Sequence, residues 1–115
     1  MRRGEIWQVD FEPAQGSEAN KRRPAVIVSN DRANATASRL GRGVLTVVPV
    51  TSNVDRVYPF QALLESPTTG LTVPSKAQAE QIRSVATQRL IRRVGHLSPA
   101  EYSALDEAIR MHLAL

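Results

Sequence analysis

Arg23-Pro24-Ala25-Val26-Ile27-Val28-Ser29-Asn30-Asp31 sets four consecutive apolar residues between a proline and a cluster of turn formers. A continuous apolar run this short reads as a central strand, bounded by Ser29-Asn30-Asp31. Upstream, Trp7, Val9 and Phe11 alternate with Gln8 and Asp10, the period of a strand with one buried face, over about Glu5 to Phe11. The stretch between them, with Pro13, Gly16 and the polar run Ser17 to Arg23, has too few apolar residues to pack and reads as an exposed loop.

Downstream, Asn30 to Gly43 holds three arginines and two glycines and reads as a long loop with at most one helical turn. Val44 to Val50 is β-branched and apolar, a third strand whose pairing should loosen at Pro49. Thr51-Ser52-Asn53 opens a turn, Phe60, Ala62 and Leu64 alternate as a fourth strand, and Pro67 to Gly70 turns again. Lys76 to Leu90 admits two readings. Ala79, Ile82, Ala86 and Leu90 fit helical spacing in a run of good helix formers, yet Gln78, Glu80, Ile82 and Ser84 also alternate with Ala77, Ala79, Gln81 and Arg83; propensity leans to helix. Ser98-Pro99-Ala100-Glu101 is a capping box with proline at the first helical position, and Tyr102, Leu105, Ala108, Ile109, His112 and Leu113 follow on one stripe. Short strands closed by a terminal helix make a mainly β fold, a small antiparallel barrel or curled sheet.

The chain has 115 residues, enough for one domain spanning 1–115 and too few for a second. Cysteine is absent, which excludes a disulfide scaffold, a thiol nucleophile and cysteine-ligated metal, and fits a reducing cytoplasm. No signal peptide or membrane span is read. The net charge is +4, and residues 98–115 contribute −2, so residues 1–97 carry +6. Of 15 basic residues 13 are arginine, whose planar fork of donors matches phosphate oxygens and points to a nucleic-acid partner.

His96 and His112 are the only histidines and lack metal-ligand spacing, so no metal or cofactor is expected, and both read as structural residues. Gly41-Arg42-Gly43 is too short for a phosphate loop. Two polar stretches remain. Glu18, Lys21, Arg22 and Arg23 lie in one, and Thr51, Ser52 and Asn53 in the other; together they could form an anion site, although each alone is also ordinary loop and turn chemistry.

Arg3-Gly4-Glu5-Ile6-Trp7, Asp10-Phe11, Gly16-Ser17-Glu18, Arg23 to Asp31, Val48-Pro49-Val50-Thr51-Ser52 and Ala79-Glu80-Gln81-Ile82-Arg83 occur in the order that resembles the MazF/PemK family of toxin–antitoxin ribonucleases. The resemblance implies a homodimer of SH3-like barrels that cuts single-stranded RNA without a metal and is silenced by a MazE-like antitoxin. It implies strand rather than helix over Lys76 to Val85. It makes Arg23 and Thr51 the catalytic pair, Glu18 the candidate general base, and Lys21, Arg22, Ser52, Asn53, Gln81 and Arg83 neighbours of the RNA. Cleavage by the ribose 2′-OH would leave a 2′,3′-cyclic phosphate and a 5′-OH. The alternatives are a gyrase poison like CcdB, which resembles MazF in fold but acts through C-terminal residues, and a non-catalytic RNA-binding barrel.

Overall fold

The computed structural model describes residues 1–11 and 22–115. Their strands are β1 (Glu5–Asp10), β2 (Arg22–Ile27), β3 (Val44–Thr51), β4 (Gln61–Leu64), β5 (Ser75–Gln78), β6 (Arg83–Ala86) and β7 (Leu90–His96), with helices α1 (Asp31–Leu40) and α2 (Pro99–Leu113). All pairings are antiparallel, in the order β4-β5-β3-β2-β1-β7, with β6 also on β3.

The apolar run of β2 is explained by its two covered faces. Val26 packs with Ile6, Val48 and Leu105, whereas Ala25 and Ile27 pack with Val9, Leu45 and Val47 in a second cluster. Each of these three β2 residues is fully buried, the environment that rewards apolar side chains at successive positions. β3 is the hub. One edge meets β2 through Val47–Pro49; the other meets β6 through Val44–Val47 and then β5 through Val50 and Thr51.

The two ends of the sheet are brought together without a ladder. The 3-10 turn Pro67–Thr69, capped by Gly70 at φ 71°, lies directly against β7. A Cβ on Gly95 would collide with the Thr69 carbonyl, and one on Gly70 with the Val94 carbonyl, so glycine is required at both contacts. Thr68 Oγ1 donates to the His96 carbonyl at 3.0 Å and fastens the seam.

Residues 30–43 are not a loop. α1 starts where the Asn30 side chain accepts from the Ala33 N–H at 2.8 Å, and it ends at Gly41 in the left-handed conformation. Only Asn34 and Ala37 are buried on it, so no apolar stripe announces the helix. Between 75 and 90 the chain is extended but broken: β5 and β6 are separated by the 3-10 turn Ala79–Gln81, and a second turn, Thr87–Arg89, leads into β7. Pairing with β3 and β4 overrides the helical propensity there.

α2 begins with the expected capping box. The stripe is buried at Leu105 and Ala108 and half-buried at Tyr102 and Ile109, but His112 and Leu113 are exposed beyond the edge of the sheet. Glu101 does more than cap. Its Oε1 accepts from the Ser98 N–H at 2.9 Å, while Oε2 accepts from Glu65 and Ser66 at 2.8 and 2.9 Å, joining the helix start to the end of β4. Burial alone would raise the Glu101 pKa, but the N–H groups of Ser98, Ser66 and Glu65 outweigh it and hold the carboxyl below the ordinary glutamate value.

A depressed folded-state pKa contributes stability that is complete above the ordinary value of 4.5 and is lost as the pH falls through the lower folded value. Glu101→Ala should therefore cost about 2–4 kcal/mol at neutral pH, because three N–H groups lose a charged acceptor. Urea unfolding should show the gap to the parent narrowing as the pH falls below 4.5. A gap unchanged by acid would show that the carboxylate charge is not the tie.

Candidate active site

The site arises where the β2–β3 ladder stops. The register pairs Ile27 with Val47, Val26 with Val48 and Ala25 with Pro49, and goes no further. Pro24 brings no N–H to this ladder, whereas Pro49 sits at a non-hydrogen-bonded position toward β2 and faces the other edge of β3, which passes there from β6 to β5. The loosening expected at Pro49 thus appears as the last paired position. Two more steps of the same register would set Arg23 opposite Thr51. Instead of a ladder, a groove opens between them.

The groove is ≈ 400 Å³ and is lined on one side by Arg22, Arg23 and Pro24 and on the other by Val50, Thr51 and Ser52. A third wall, from Leu71 to Val73 plus Ser75, closes the far side. Because β2 reaches back to Arg22, both arginines stand on a strand rather than in the exposed loop expected for them. Arg22 pairs with Asp10 and Arg23 with Val9, so β1 holds their backbone while their exposed side chains stay at the groove. Among the described residues the lining contains two guanidinium groups, four hydroxyls and no carboxylate. That is a site for an anion with several oxygens.

Thr51 closes β3, and its Oγ1 accepts from the Asn53 N–H at 3.2 Å. With that lone pair occupied, the hydroxyl proton is free to be donated elsewhere. Asn53 Oδ1 accepts from the Asp55 N–H at 3.2 Å, so this amide shapes the turn and is not among the lining residues. Gln81 and Arg83 lie away from the groove. Gln81 is exposed on the Ala79–Gln81 turn, and Arg83, opposite Val47 on β6, stacks its guanidinium 5.2 Å from the centre of the Phe11 ring. Glu18 and Lys21 lie outside the described residues.

His96 ends β7 beside Arg93, and His112 sits near the end of α2; neither lines the groove. No cluster of three His, Cys, Asp or Glu side chains is found among the described residues. No helix among them is long and apolar enough to cross a membrane. Sequence reasoning missed the third wall: Leu71-Thr72-Val73-Pro74-Ser75 has no periodicity, and only its hydroxyls could have signalled a polar site.

Residues 2–113 match the family profile described as PemK-like, MazF-like toxin of type II toxin–antitoxin system. Among curated proteins, Endoribonuclease MazF9 of Mycobacterium tuberculosis is 71% identical over 115 residues, covering 100% of this chain and 98% of the relative. A solved endoribonuclease in complex with its cognate antitoxin, from a mycobacterial species, superposes with a TM-score of 0.79 at 21% identity, over 100% of this chain and 96% of that one. A MazE–MazF complex from Deinococcus radiodurans gives 0.78 at 22% identity, over 100% and 96%. A full-length profile match, high identity to a MazF relative and a shared fold agree, and the chain belongs to the PemK-like, MazF-like toxins of type II toxin–antitoxin systems.

Proposed function

We propose that this toxin is an endoribonuclease and that the groove between Arg23 and Thr51 is where it cuts single-stranded RNA. The observation that carries the reading is the convergence, at the end of one ladder, of a guanidinium and a hydroxyl from strands 28 residues apart in sequence, 51 − 23, within an anion-shaped lining.

The ribose 2′-OH attacks the adjacent phosphorus. The O2′–P bond forms, the P–O5′ bond breaks, and the ends are a 2′,3′-cyclic phosphate and a 5′-OH. Arg23 reaches two phosphoryl oxygens and neutralises the charge that grows on them, where preorganised donors contribute most. A guanidinium carries hydrogen-bond donors only, so Arg23 is not the base. Thr51, its Oγ1 already accepting from Asn53, donates its proton to the phosphate and holds the in-line geometry. Glu18 is the candidate acceptor of the 2′-OH proton, and the leaving O5′ takes a proton from solvent water as it departs. These steps draw on the chain's side chains and on water and assign no role to a metal.

The protein acts as a cytoplasmic homodimer, and its antitoxin is MazE-like. The +6 charge of residues 1–97 attracts an acidic inhibitory segment as it attracts RNA. Inhibitor and substrate then contend for one groove.

Arg23 is exposed and Thr51 closes a strand, so replacing either should leave the Tm nearly unchanged. Arg23→Ala should lower RNA cleavage about 100-fold or more, as loss of an oxyanion donor does. Normal turnover by folded Arg23→Ala would refute the assignment. Cutting should persist in excess chelator, and deoxyribose on the 5′ side of the scissile bond should abolish it while sparing binding. Cleavage of that deoxy substrate would make water the nucleophile. The antitoxin should inhibit competitively and less strongly as salt rises, whereas a ternary complex with RNA still bound would exclude a shared groove.

A further inference from the structure

Lys76 is buried, with 7% of its surface exposed, and among the described residues no carboxylate lies within ion-pair distance of it. A lysine so placed ordinarily has a charged partner, because taking an ammonium out of water costs several kcal/mol, roughly, unless it is compensated. Here the compensation is a backbone oxygen and a ring. Nζ donates to the Arg56 carbonyl at 2.6 Å and lies 5.9 Å from the centre of the Tyr58 ring, which stacks on Phe60 at 5.2 Å with 6° between the planes. A methionine would fill similar volume without the desolvation, so packing does not explain the charge.

The placement of Lys76 does. In the β3–β5 register it pairs with Thr51, and residues 52–60 run from Thr51 to β4. The near end of this segment is tied by the Asn53 N–H donating to Thr51 Oγ1, and the far end by the Tyr58 N–H donating to Gln61 Oε1 at 3.0 Å. Between those ties, Lys76 holds the Arg56 carbonyl. We infer that Lys76 is a positioning residue: by fixing the middle of the 52–60 segment it keeps the Asn53 N–H on Thr51 Oγ1 and so aims the Thr51 hydroxyl into the groove. Lys76 touches neither substrate nor reacting atoms in this scheme. The inference rests on the proposed role of Thr51.

A double-mutant cycle tests it, read as kcat and KM on a single-stranded RNA. Lys76→Met should lower kcat about 10-fold with a smaller change in KM, because a misaimed donor weakens the transition state more than the ground state. In a Thr51→Ala background the same substitution should change kcat by less than about 2-fold, since no hydroxyl remains to misaim. Amide exchange of Asn53 should quicken in Lys76→Met while that of Val47 in β3 stays slow. If Lys76→Met does not fold, Lys76→Gln, whose polar head ends one bond short, goes through the same cycle. Additive losses, or a kcat equal to the parent's, would overturn the positioning role. A Thr51→Ala enzyme as active as the parent would instead remove the groove reading on which the inference rests.

Discussion

β3 has to serve three neighbours with eight residues, and that constraint shapes the rest of the molecule. Val47 is shared by β2 on one edge and β6 on the other, while Val50 and Thr51 are given to β5. The strand therefore leaves β2 just as it joins β5, at the point where Pro24 removes a donor toward β3 and Pro49 removes one from β3's opposite edge. Full pairing over Arg23 and Thr51 would have closed the groove. The site is a gap left by the sheet's own hydrogen-bond arithmetic, and rigid strands on both sides preorganise what lines it.

The same economy explains why the scaffold tolerates so polar a site. The cores on the two faces of β2 and β3 are built mostly from β-branched and alanine side chains, with four leucines and Phe11 filling the rest. Glu101 joins α2 to the end of β4, and the Gly70 and Gly95 contacts close the seam to β7. Arg3 adds a further tie: its guanidinium donates to the Val28 carbonyl, the Tyr102 hydroxyl and Asp106, linking the end of β2 to α2. None of Glu101, Gly70, Gly95 and Arg3 lines the groove, so substitutions of its polar side chains can change chemistry without unfolding the protein.

Much of this was legible in the amino acids. Ala25–Val28 and Val44–Val50 read as strands and largely are, as β2 and β3, although Val28 lies past the end of β2 and Val44 is exposed, and Ser98-Pro99-Ala100-Glu101 reads as the helix start it is. α1 was not legible by periodicity, because Asn34 and Ala37 are its whole buried face; its caps, Asn30 and Gly41, were the signal to read. Residues 76–90 illustrate the opposite failure, a helical composition drawn into strands by partners far away in sequence. For the site, Arg22, Arg23, Thr51 and Ser52 converge as expected, whereas Gln81 and Arg83 stand elsewhere. The Leu71–Ser75 wall and buried Lys76 depend on how β5 docks beside β3, which no local pattern encodes.

The central claim is that the scissile phosphate sits where the β2–β3 ladder ends. It is tested most directly by a crystal structure of the chain bound to an RNA whose cleavage site carries a single 2′-deoxy substitution. The account places one phosphate within hydrogen-bond distance of both the Arg23 guanidinium and the Thr51 hydroxyl. An RNA bound along β7 or α1, with no phosphate between Arg23 and Thr51, would contradict it.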